Sequence, residues 1–387
     1  MKPEKGTRGT KSGDNVKIAL SATFGLEGAV SKEAAFLGFQ KTGGEDGLVF
    51  IRGEEADIAA ANVWLRTADR VSLVLKEFEA LSFDDIYEAL YGIEWDAYVE
   101  KESKIIVSAK SLNSKLSSEP AIQSVGKKAV IDRLLLRRGV NVWPEKGSSL
   151  RIHIKIKKDR ARLFLNTSGE GLHKRGYALK RSRAPLRETL AAALILLSPW
   201  KGKEAITDPF CGGSTIPIEA AMIVNHIAPN RHRHFDAEHW PSFSKALWDE
   251  VRGDAVAEEK KSGCLITGKD IDPDMVALSR ECARRAGVME YIHFEQGDAR
   301  KIISSGKKEL LATNPPYGER LLSQKEAASL YRDFGRAYQA CSHWDLSLIT
   351  GYPGFQKIFG ARARRNRKLY NGNLKTYLYQ YFGEDNG

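Results

Sequence analysis

The chain has 387 residues, of which 42% are hydrophobic and 28% charged, a composition typical of a soluble globular protein with two or three domains. It contains no apolar run of membrane-spanning length and no secretory signal pattern, so we expect a cytoplasmic protein without a membrane partner. The net charge of +11 favours a polyanionic partner.

Two kinds of segment follow each other along the chain. Residues 1–15 are polar and lack periodicity, which predicts a disordered tail. Residues 16–167 alternate short strands with amphipathic helices, a pattern of α+β units. The predicted strands are 16–22, 47–52, 71–78, 104–109, 151–157 and 162–166, and the predicted helices are 26–37, 54–65, 83–90 and 120–138.

Beyond Ser182, helices alternate with short apolar strands, which is the signature of a doubly wound parallel sheet. The predicted strands are 205–208, 264–269, 292–295, 309–313 and 346–350, followed by a final pair at 364–370 and 374–382. The predicted helices are 185–197, 215–225, 242–256, 273–286 and 325–340. A catalytic domain of α/β class is therefore expected to begin near residue 185.

The positive charge is concentrated in two runs. Residues 151–183 contain eleven Lys or Arg but only two acids, and residues 357–368 contain six Lys or Arg and no acid. The strand 151–157 alternates apolar and basic residues, so one face suits a core and the other suits phosphate. Solvated charged faces are the alternative interpretation. The residues expected to bind a nucleic-acid backbone are Arg151, Lys155, Lys157, Lys174, Arg175, Arg364, Arg365, Arg367 and Lys368.

The tetrapeptide Asn314-Pro315-Pro316-Tyr317 follows the apolar run 309–313 and is suited to methylating a planar exocyclic amine. The amide oxygen of Asn314 and the carbonyl of Pro315 could accept the two N–H bonds of the amine, and Tyr317 could stack on the base. The prolines make the loop rigid. An ordinary turn at a strand end is the alternative, and the loop alone does not distinguish adenine from guanine.

A candidate methyl-donor site lies on the preceding strand ends. Asp208–Thr215 is a small-residue turn that opens a helix, but it is neither a dinucleotide fingerprint nor a P-loop. Asp270 is the candidate acceptor for ribose hydroxyls, Asp272 equally fits the N-cap of the next helix, and Asp298 with Ala299 could bind an adenine ring. The predicted donor-binding residues are Asp208, Phe210, Gly212, Gly213, Ser214, Thr215, Asp270, Ile271, Asp298 and Ala299.

These motifs together resemble class I S-adenosylmethionine-dependent methyltransferases that act on exocyclic amines. The further stretches 166–177, 184–188, 216–221, 314–320 and 368–373 resemble the THUMP-domain-containing bacterial 23S ribosomal RNA guanine-N2 methyltransferases, over essentially the whole chain after residue 15. The resemblance implies S-adenosylmethionine as donor, ribosomal RNA as partner and guanine N2 as acceptor. Members of this group often carry the label of adenine-N6 DNA methylase, because the Asn-Pro-Pro-Tyr motif is shared.

The same resemblance implies a domain organisation. After the tail it predicts a ferredoxin-like portion at 16–69, a THUMP RNA-binding domain at 70–167, a linker at 168–184 and a Rossmann-like methyltransferase domain at 185–387. One position departs from the family turn Asp-x-Phe-x-Gly-x-Gly, because Ser214 replaces the last glycine. We expect Ser214 to adopt an extended conformation, to cap the following helix with its hydroxyl and to preserve donor binding.

Other functions are less well supported by the sequence. The four cysteines, Cys211, Cys264, Cys282 and Cys341, form no Cys-x-x-Cys pair, and the spacings of His232, His234 and His239 match no common zinc pattern, so no metal is expected. Glu319 and Arg320 flank the loop Asn314–Tyr317, which we name the acceptor loop, and could pair with each other or simply be solvated. The remaining alternatives are adenine-N6 methylation of DNA and an RNA-binding assembly factor without catalytic activity.

Overall fold

The computed structural model describes residues 15–179, 186–304, 306–317, 322–341 and 343–382. These residues form two units. Unit 1 comprises residues 15–22, 30–172 and 232–254, and unit 2 comprises the other described residues. The predicted tail up to residue 14, residues 180–184 of the predicted linker, and Glu319 with Arg320 lie outside the described residues. No helix within the described ranges is long and apolar enough to cross a membrane.

Unit 1 is organised around one seven-stranded sheet. Its strands are β1 (Val16–Ser21), β2 (Gln40–Glu45), β3 (Leu48–Gly53), β4 (Arg70–Glu79), β5 (Lys104–Leu112), β6 (Ser149–Lys157) and β7 (Arg160–Asn166). The first helices of the chain are α1 (Glu27–Phe36), α2 (Glu55–Trp64), α3 (Phe83–Tyr91) and α4 (Glu119–Arg138). The strand order is β2-β3-β1-β4-β7-β6-β5, so β4 joins the strands of the two predicted N-terminal domains into a continuous sheet.

The alternating strand β6 is confirmed by its burial. Ile152, Ile154 and Ile156 are at most 1% exposed, whereas the basic residues between them are partly exposed. The predicted hairpin partner β7 pairs with β6 in antiparallel register through a two-residue turn at Lys158 and Asp159. Both turn residues have positive φ, which matches the right-handed twist of the flanking strands.

Unit 2 contains the second seven-stranded sheet. Its strands are β8 (Ala205–Asp208), β9 (Ile266–Asp270), β10 (Ile292–Gln296), β11 (Glu309–Thr313), β12 (Trp344–Thr350), β13 (Arg365–Asn371) and β14 (Leu374–Tyr381). The remaining helices of the chain are α5 (Glu188–Leu196), α6 (Thr215–Val224), α7 (Lys245–Ala257), α8 (Pro273–Arg285), α9 (Gln324–Gln339) and α10 (Phe355–Phe359).

The order of this sheet is β10-β9-β8-β11-β12-β14-β13, in which β8 to β12 are parallel and the β13–β14 hairpin is antiparallel. The chain runs outward from β8 through β9 to β10, and then returns to the other side of β8 to form β11. This reversal creates a topological switch point between β8 and β11, where ligands of doubly wound sheets bind at the carboxyl ends of the strands. The motifs predicted to bind donor and acceptor follow these strand ends.

Candidate active site

Asp208, the last residue of β8, links the two predicted halves of the site. Its Oδ1 accepts hydrogen bonds from the Thr313 hydroxyl at 2.6 Å and from the Phe210 backbone N–H at 3.0 Å. Thr313 ends β11 and immediately precedes the acceptor loop. Burial raises the pKa of the Asp208 carboxyl to about 7, because removal from water disfavours its charged form. Asp208 therefore ties the turn Asp208–Thr215, which we name the donor turn, to the base of the acceptor loop.

Replacement of Asp208 by Asn should make the protein's stability less sensitive to pH. The folded-state pKa of about 7 lies above the ordinary value of 3.8. The free energy of unfolding of the wild-type protein therefore falls as the pH rises between these two values, because the buried carboxyl resists ionisation. Asparagine can still accept both hydrogen bonds but does not ionise. We expect Asp208→Asn to gain on the order of 2 kcal/mol relative to wild type between pH 5 and pH 8. Urea unfolding at the two pH values measures this, and a constant difference would contradict it.

The backbone of the donor turn is held by hydrogen bonds to side chains of neighbouring elements. The Gly212 N–H donates to Oδ2 of Asp270 at 3.0 Å, and the Gly212 carbonyl accepts from the Ser279 hydroxyl of α8 at 2.7 Å. Gly212 has a φ of 50°, a conformation that favours glycine. A carboxylate oxygen can accept more than one hydrogen bond, so Asp270 holds the turn and retains capacity for a ligand hydroxyl.

The other two predicted aspartates have local roles in the structure. Asp272 caps α8, since its carboxylate accepts from the Asp274 N–H at 2.9 Å, which confirms the N-cap interpretation. Asp298 forms a two-point ion pair with Arg300, and this pair lowers the pKa of Asp298. The predicted adenine acceptor is therefore already engaged by Arg300 and would have to share its oxygens with a ligand.

Ser214 differs from both structural expectations. It lies in the left-handed region with φ 65° and ψ 25°, rather than in an extended conformation, and its hydroxyl does not cap α6. Ser214 is fully buried, and its Oγ has no hydrogen-bond partner in the described part of the chain. The turn requires a positive φ, which explains why glycine suits this position and why serine is strained here.

Ser214→Gly should stabilise unit 2 and preserve donor binding. The change removes a left-handed non-glycine residue and a buried hydroxyl without a partner, although glycine adds entropy to the unfolded chain. The expected net gain is about 1 kcal/mol in the free energy of unfolding. Ser214→Ala, which removes only the hydroxyl, should gain less. Loss of S-adenosylmethionine affinity in Ser214→Gly, measured by calorimetry, would instead show that the hydroxyl binds the donor.

Asn314 is placed at the carboxyl end of β11 with an unsatisfied acceptor. Its Oδ1 is buried but has no hydrogen-bond partner among the described residues. A buried oxygen without a donor costs about 1–3 kcal/mol, so such an atom is expected where a ligand supplies the missing N–H. This position matches the one at which the sequence predicts an amine acceptor.

A chain of hydrogen bonds supports the acceptor loop from α9 and β12. The Tyr331 hydroxyl donates to the Pro316 carbonyl at 2.9 Å and lies 3.0 Å from the Thr350 hydroxyl, which in turn accepts from the Tyr352 N–H at 3.2 Å. Tyr331 is fully buried. Tyr331 therefore occupies the Pro316 carbonyl and not the Pro315 carbonyl, which the sequence predicts to accept from the amine. Sequence reasoning missed Tyr331, because a tyrosine on the apolar face of an amphipathic helix is indistinguishable from a core residue.

Tyr317 packs against Gly351, the residue directly after β12. An added Cβ on Gly351 would lie 2.9 Å from the Tyr317 ring, so only glycine permits the close approach. The Tyr317 hydroxyl bonds to the side chain of Asn371, and the ring is half-buried. Burial raises the pKa of Tyr317, which stays a neutral phenol at physiological pH. Gly351 was also missed, although a glycine directly after a parallel strand is a recognisable signal of close backbone approach.

Two of the basic residues predicted on β6 to bind RNA form ion pairs with acids of unit 1. Arg151 pairs with Asp236, and Lys155 pairs with Glu45 at 3.0 Å. Lys157 is exposed. The apolar side of the strand is buried as expected, whereas its basic side forms ion pairs that a phosphate would have to displace.

Arg175 is a correction to the predicted set of RNA-binding residues. Its side chain is fully buried in unit 2, where it pairs with Glu219 at 3.3 Å and donates to Asn230 at 3.0 Å. The Tyr177 hydroxyl donates to the same Glu219 oxygen at 3.0 Å. Arg175 therefore anchors its segment to α6 and is not available to a phosphate. Other basic residues predicted to bind RNA in unit 2 are exposed, namely Lys174, Arg364, Arg365, Arg367 and Lys368.

The donor residues fit S-adenosylmethionine. Open space lies beside Gly212, and Ile271, next to Asp270, is 58% exposed where an apolar ring could cover it. Phe210 and Gly213 lie in the turn after β8, Thr215 begins α6, and Ala299 begins a 3-10 turn shortly after β10. Among the described residues, no group of three or more His, Cys, Asp or Glu is placed to hold a metal ion.

Three family models match the chain. The RMKL-like methyltransferase domain matches residues 175–380, the RlmL ferredoxin-like domain matches 17–72 and the THUMP domain matches 80–166. The fold is thus a Rossmann-like S-adenosylmethionine-dependent methyltransferase domain preceded by ferredoxin-like and THUMP domains, as the sequence predicted. The chain belongs to the RMKL-like methyltransferase family.

Similar proteins support this membership. YpsC of Bacillus subtilis (strain 168), named as a candidate RNA methyltransferase, is 37% identical over 95% of this chain and 96% of its own. The ribosomal RNA large subunit methyltransferase K/L of Pseudomonas entomophila (strain L48) is 33% identical over 94% of this chain, which spans only 52% of that protein.

Two solved structures share the fold over nearly their whole length. SMU.472, described as a candidate methyltransferase complexed with S-adenosylhomocysteine, superposes with a TM-score of 0.88 at 37% identity, covering 96% of this chain and 99% of that one. A protein of Listeria monocytogenes str. 4b F2365, described as a predicted N6-adenine-specific DNA methylase, gives 0.89 at 36% identity, covering 96% and 97%. The predicted donor, S-adenosylmethionine, is confirmed by these relationships.

Proposed function

We propose that the protein transfers a methyl group from S-adenosylmethionine to the exocyclic N2 amine of a guanine in 23S ribosomal RNA. The observation that carries this proposal is the buried, unpartnered Oδ1 of Asn314 beside the switch point of the sheet. An exocyclic amine offers the N–H that this oxygen lacks. Ribosomal RNA is favoured by the THUMP match and by the name of the K/L relative, and guanine by the resemblance of the whole chain.

The proposed role of the donor residues is to hold the donor at the carboxyl ends of β8, β9 and β10. Asp270 accepts from ribose hydroxyls, Ile271 covers the adenine ring, and the turn from Phe210 to Thr215 permits close approach of the backbone. Asp298 and Ala299 complete the adenine contacts once Arg300 shares the carboxylate. The bound donor supplies an electrophilic methyl group.

The proposed role of the acceptor loop is to position the amine. Asn314 and the Pro315 carbonyl accept its two N–H bonds, which draws the nitrogen lone pair out of conjugation and fixes its direction. Tyr331 holds the Pro316 carbonyl, so that the loop keeps its shape without the substrate. Tyr317 stacks on the base, and Gly351 and Asn371 fix its ring.

The proposed substrate is folded RNA in the cytoplasm. The exposed basic residues of the two units bind phosphates, and the target base leaves its stack, which costs a few kcal/mol and least where the base is unpaired. The domain limits that we propose are 16–69, 70–167 and 185–387, with 168–184 as a linker.

The reaction is tested by nucleoside mass spectrometry. Purified protein is incubated with S-adenosylmethionine and either unmodified 23S ribosomal RNA or double-stranded DNA, and the digested nucleosides are analysed. N2-methylguanosine in the RNA sample is the expected product. N6-methyladenine in DNA without N2-methylguanosine in RNA would favour the DNA methylase activity named for the Listeria structure, and absence of donor binding by calorimetry would favour a non-catalytic RNA-binding factor.

A further inference from the structure

One face of the β13–β14 hairpin carries lysines and tyrosines in alternation at the end of the hairpin. Lys368 pairs in register with Tyr377, and Tyr370 pairs with Lys375. Residues directly opposite each other in an antiparallel ladder point to the same face, and so do residues two apart on one strand. The four side chains therefore form a small checkerboard, which we name the Lys–Tyr face.

Contacts within the Lys–Tyr face bring each lysine to a ring. The Lys368 ammonium lies 5.4 Å from the centroid of the Tyr370 ring, and the Lys375 ammonium lies 5.4 Å from that of Tyr377. Both lysines are exposed, the Lys375 side chain hydrogen-bonds to the Tyr377 side chain, and no acid is paired with either lysine within the described ranges. This separates them from Arg151 and Lys155, whose charges are already paired with acids. A phosphate that binds the lysines of this face would therefore not have to displace an acid.

Phe24 extends the aromatic surface. It belongs to unit 2, is 55% exposed, and meets the edge of the Tyr370 ring at 6.4 Å between centroids. Its segment is fastened to the hairpin, because Arg367 donates to the Gly25 carbonyl at 2.8 Å. Gly25, with φ 90°, lies against the Lys368 carbonyl so closely that an added Cβ would be 2.8 Å from that oxygen. An exposed phenylalanine is thus held beside the Lys–Tyr face.

The Lys–Tyr face begins beside the acceptor loop. Asn371, which bonds to the Tyr317 hydroxyl, is the residue directly after Tyr370 and pairs with Leu374 at the end of the hairpin. Tyr317 and Tyr377 both pack against the same core cluster. The surface therefore continues from the position at which Tyr317 would stack on the target base and extends about 10 Å along β13.

We propose that the Lys–Tyr face, together with Phe24, binds the unpaired nucleotides that flank the target base in the RNA strand. Aromatic side chains stack on bases that are unpaired, whereas a duplex hides the faces of its bases. Phosphates compete with the tyrosines for the two lysine ammonium groups, and the Tyr370 ring, which is only partly buried, is then open to a base. The identity of this strand as substrate RNA rests on the proposed function, while the binding of single-stranded RNA is tested separately.

The test measures binding of a fluorescein-labelled, unstructured single-stranded RNA 12-mer to the full chain by fluorescence anisotropy at several salt concentrations. Tyr370→Leu should weaken binding about tenfold without changing the salt dependence, since a stacking partner is lost, whereas Tyr370→Phe should stay within about twofold of wild type. The double variant Lys368→Ala/Lys375→Ala should weaken binding and reduce the slope of log K against log salt by about 1.4.

The matched control is Lys201→Ala/Lys203→Ala, which removes the same charge from two exposed lysines. These lysines precede β8 and so lie at the amino ends of the parallel strands, away from the predicted site at the carboxyl ends. Equal effects of the two double variants would overturn the proposal, and so would equal binding by Tyr370→Leu and Tyr370→Phe. If Tyr370→Leu lost as much affinity for duplex RNA as for the single-stranded 12-mer, the preference for unpaired nucleotides would be overturned.

Donor uptake, measured by calorimetry for each variant, shows that unit 2 is folded. Tyr370 lies outside the core clusters, so its variants should retain wild-type uptake. A wild-type protein that binds the 12-mer in this pattern but does not methylate ribosomal RNA would contradict the proposed reaction alone. A protein that methylates ribosomal RNA but binds the 12-mer independently of Tyr370 would contradict this inference alone.

Discussion

Asn314→Ala should lower methyl transfer by at least about 10²-fold while leaving the affinity for S-adenosylmethionine within about threefold of wild type. The variant removes the oxygen proposed to accept the amine, and the donor residues lie on other strand ends. It should not destabilise the protein, because it deletes a buried acceptor that has no partner among the described residues. Initial rates with ribosomal RNA, donor calorimetry and thermal unfolding measure the three quantities.

Asn314→Asp is the matched variant for this experiment. It keeps an acceptor oxygen at the same position but introduces a charge whose burial is unfavourable, so activity should be low at neutral pH and the protein should be less stable than Asn314→Ala. A parallel loss of turnover, donor binding and stability in Asn314→Ala would show instead that Asn314 supports the fold.

Gly351→Ala should lower turnover by about 10²-fold with little effect on donor binding. The new methyl group would lie 2.9 Å from the Tyr317 ring, which is too close for a Cβ, and 3.1 Å from the Lys375 carbonyl, which is a tight contact. The ring must shift, and a displacement of about 1 Å in a positioning residue can cost 10²-fold in rate. Single-turnover rates with ribosomal RNA and donor calorimetry measure the two effects.

Gly263→Ala is the control for this substitution, since an added Cβ there meets no atom within 4 Å. It should retain wild-type turnover. Gly351→Ala with unchanged turnover would show that the position of the Tyr317 ring does not matter, and the stacking role of Tyr317 would be withdrawn.

The elements of the fold were largely predictable, because their hydrophobic periods differ. Strand β6 alternates strictly, and the parallel strands of unit 2 are short runs with apolar residues between helices, so most strands of both sheets were located. Strand β2 was missed, because its sequence Gln40–Glu45 contains no apolar residue. Its extended conformation is stabilised by antiparallel pairing with β3, which the sequence of β2 does not reveal. The five-residue helix α10 was missed because it is little longer than one turn, so no apolar pattern repeats along it.

The environment of a charged side chain was not predictable in the same way. Arg175 and Lys174 are adjacent in a basic run, yet Arg175 is buried against Glu219 and Lys174 is exposed. Glu219 lies 44 positions along the chain, on α6, and only folding brings it to Arg175. For the same reason the sequence did not show that Arg151 and Lys155 are paired with acids of distant segments.

The sequence by itself determined the chemistry available at each strand end, because the residue types of the donor turn and acceptor loop lie in short contiguous motifs. Only the tertiary structure decided how those motifs are held. The bond from Thr313 to Asp208, the support of Pro316 by Tyr331 and the packing of Tyr317 on Gly351 join residues far apart in the chain. Likewise, the left-handed conformation of Ser214 depends on the backbone path of the folded turn, and this path, not the preference of serine, sets its φ.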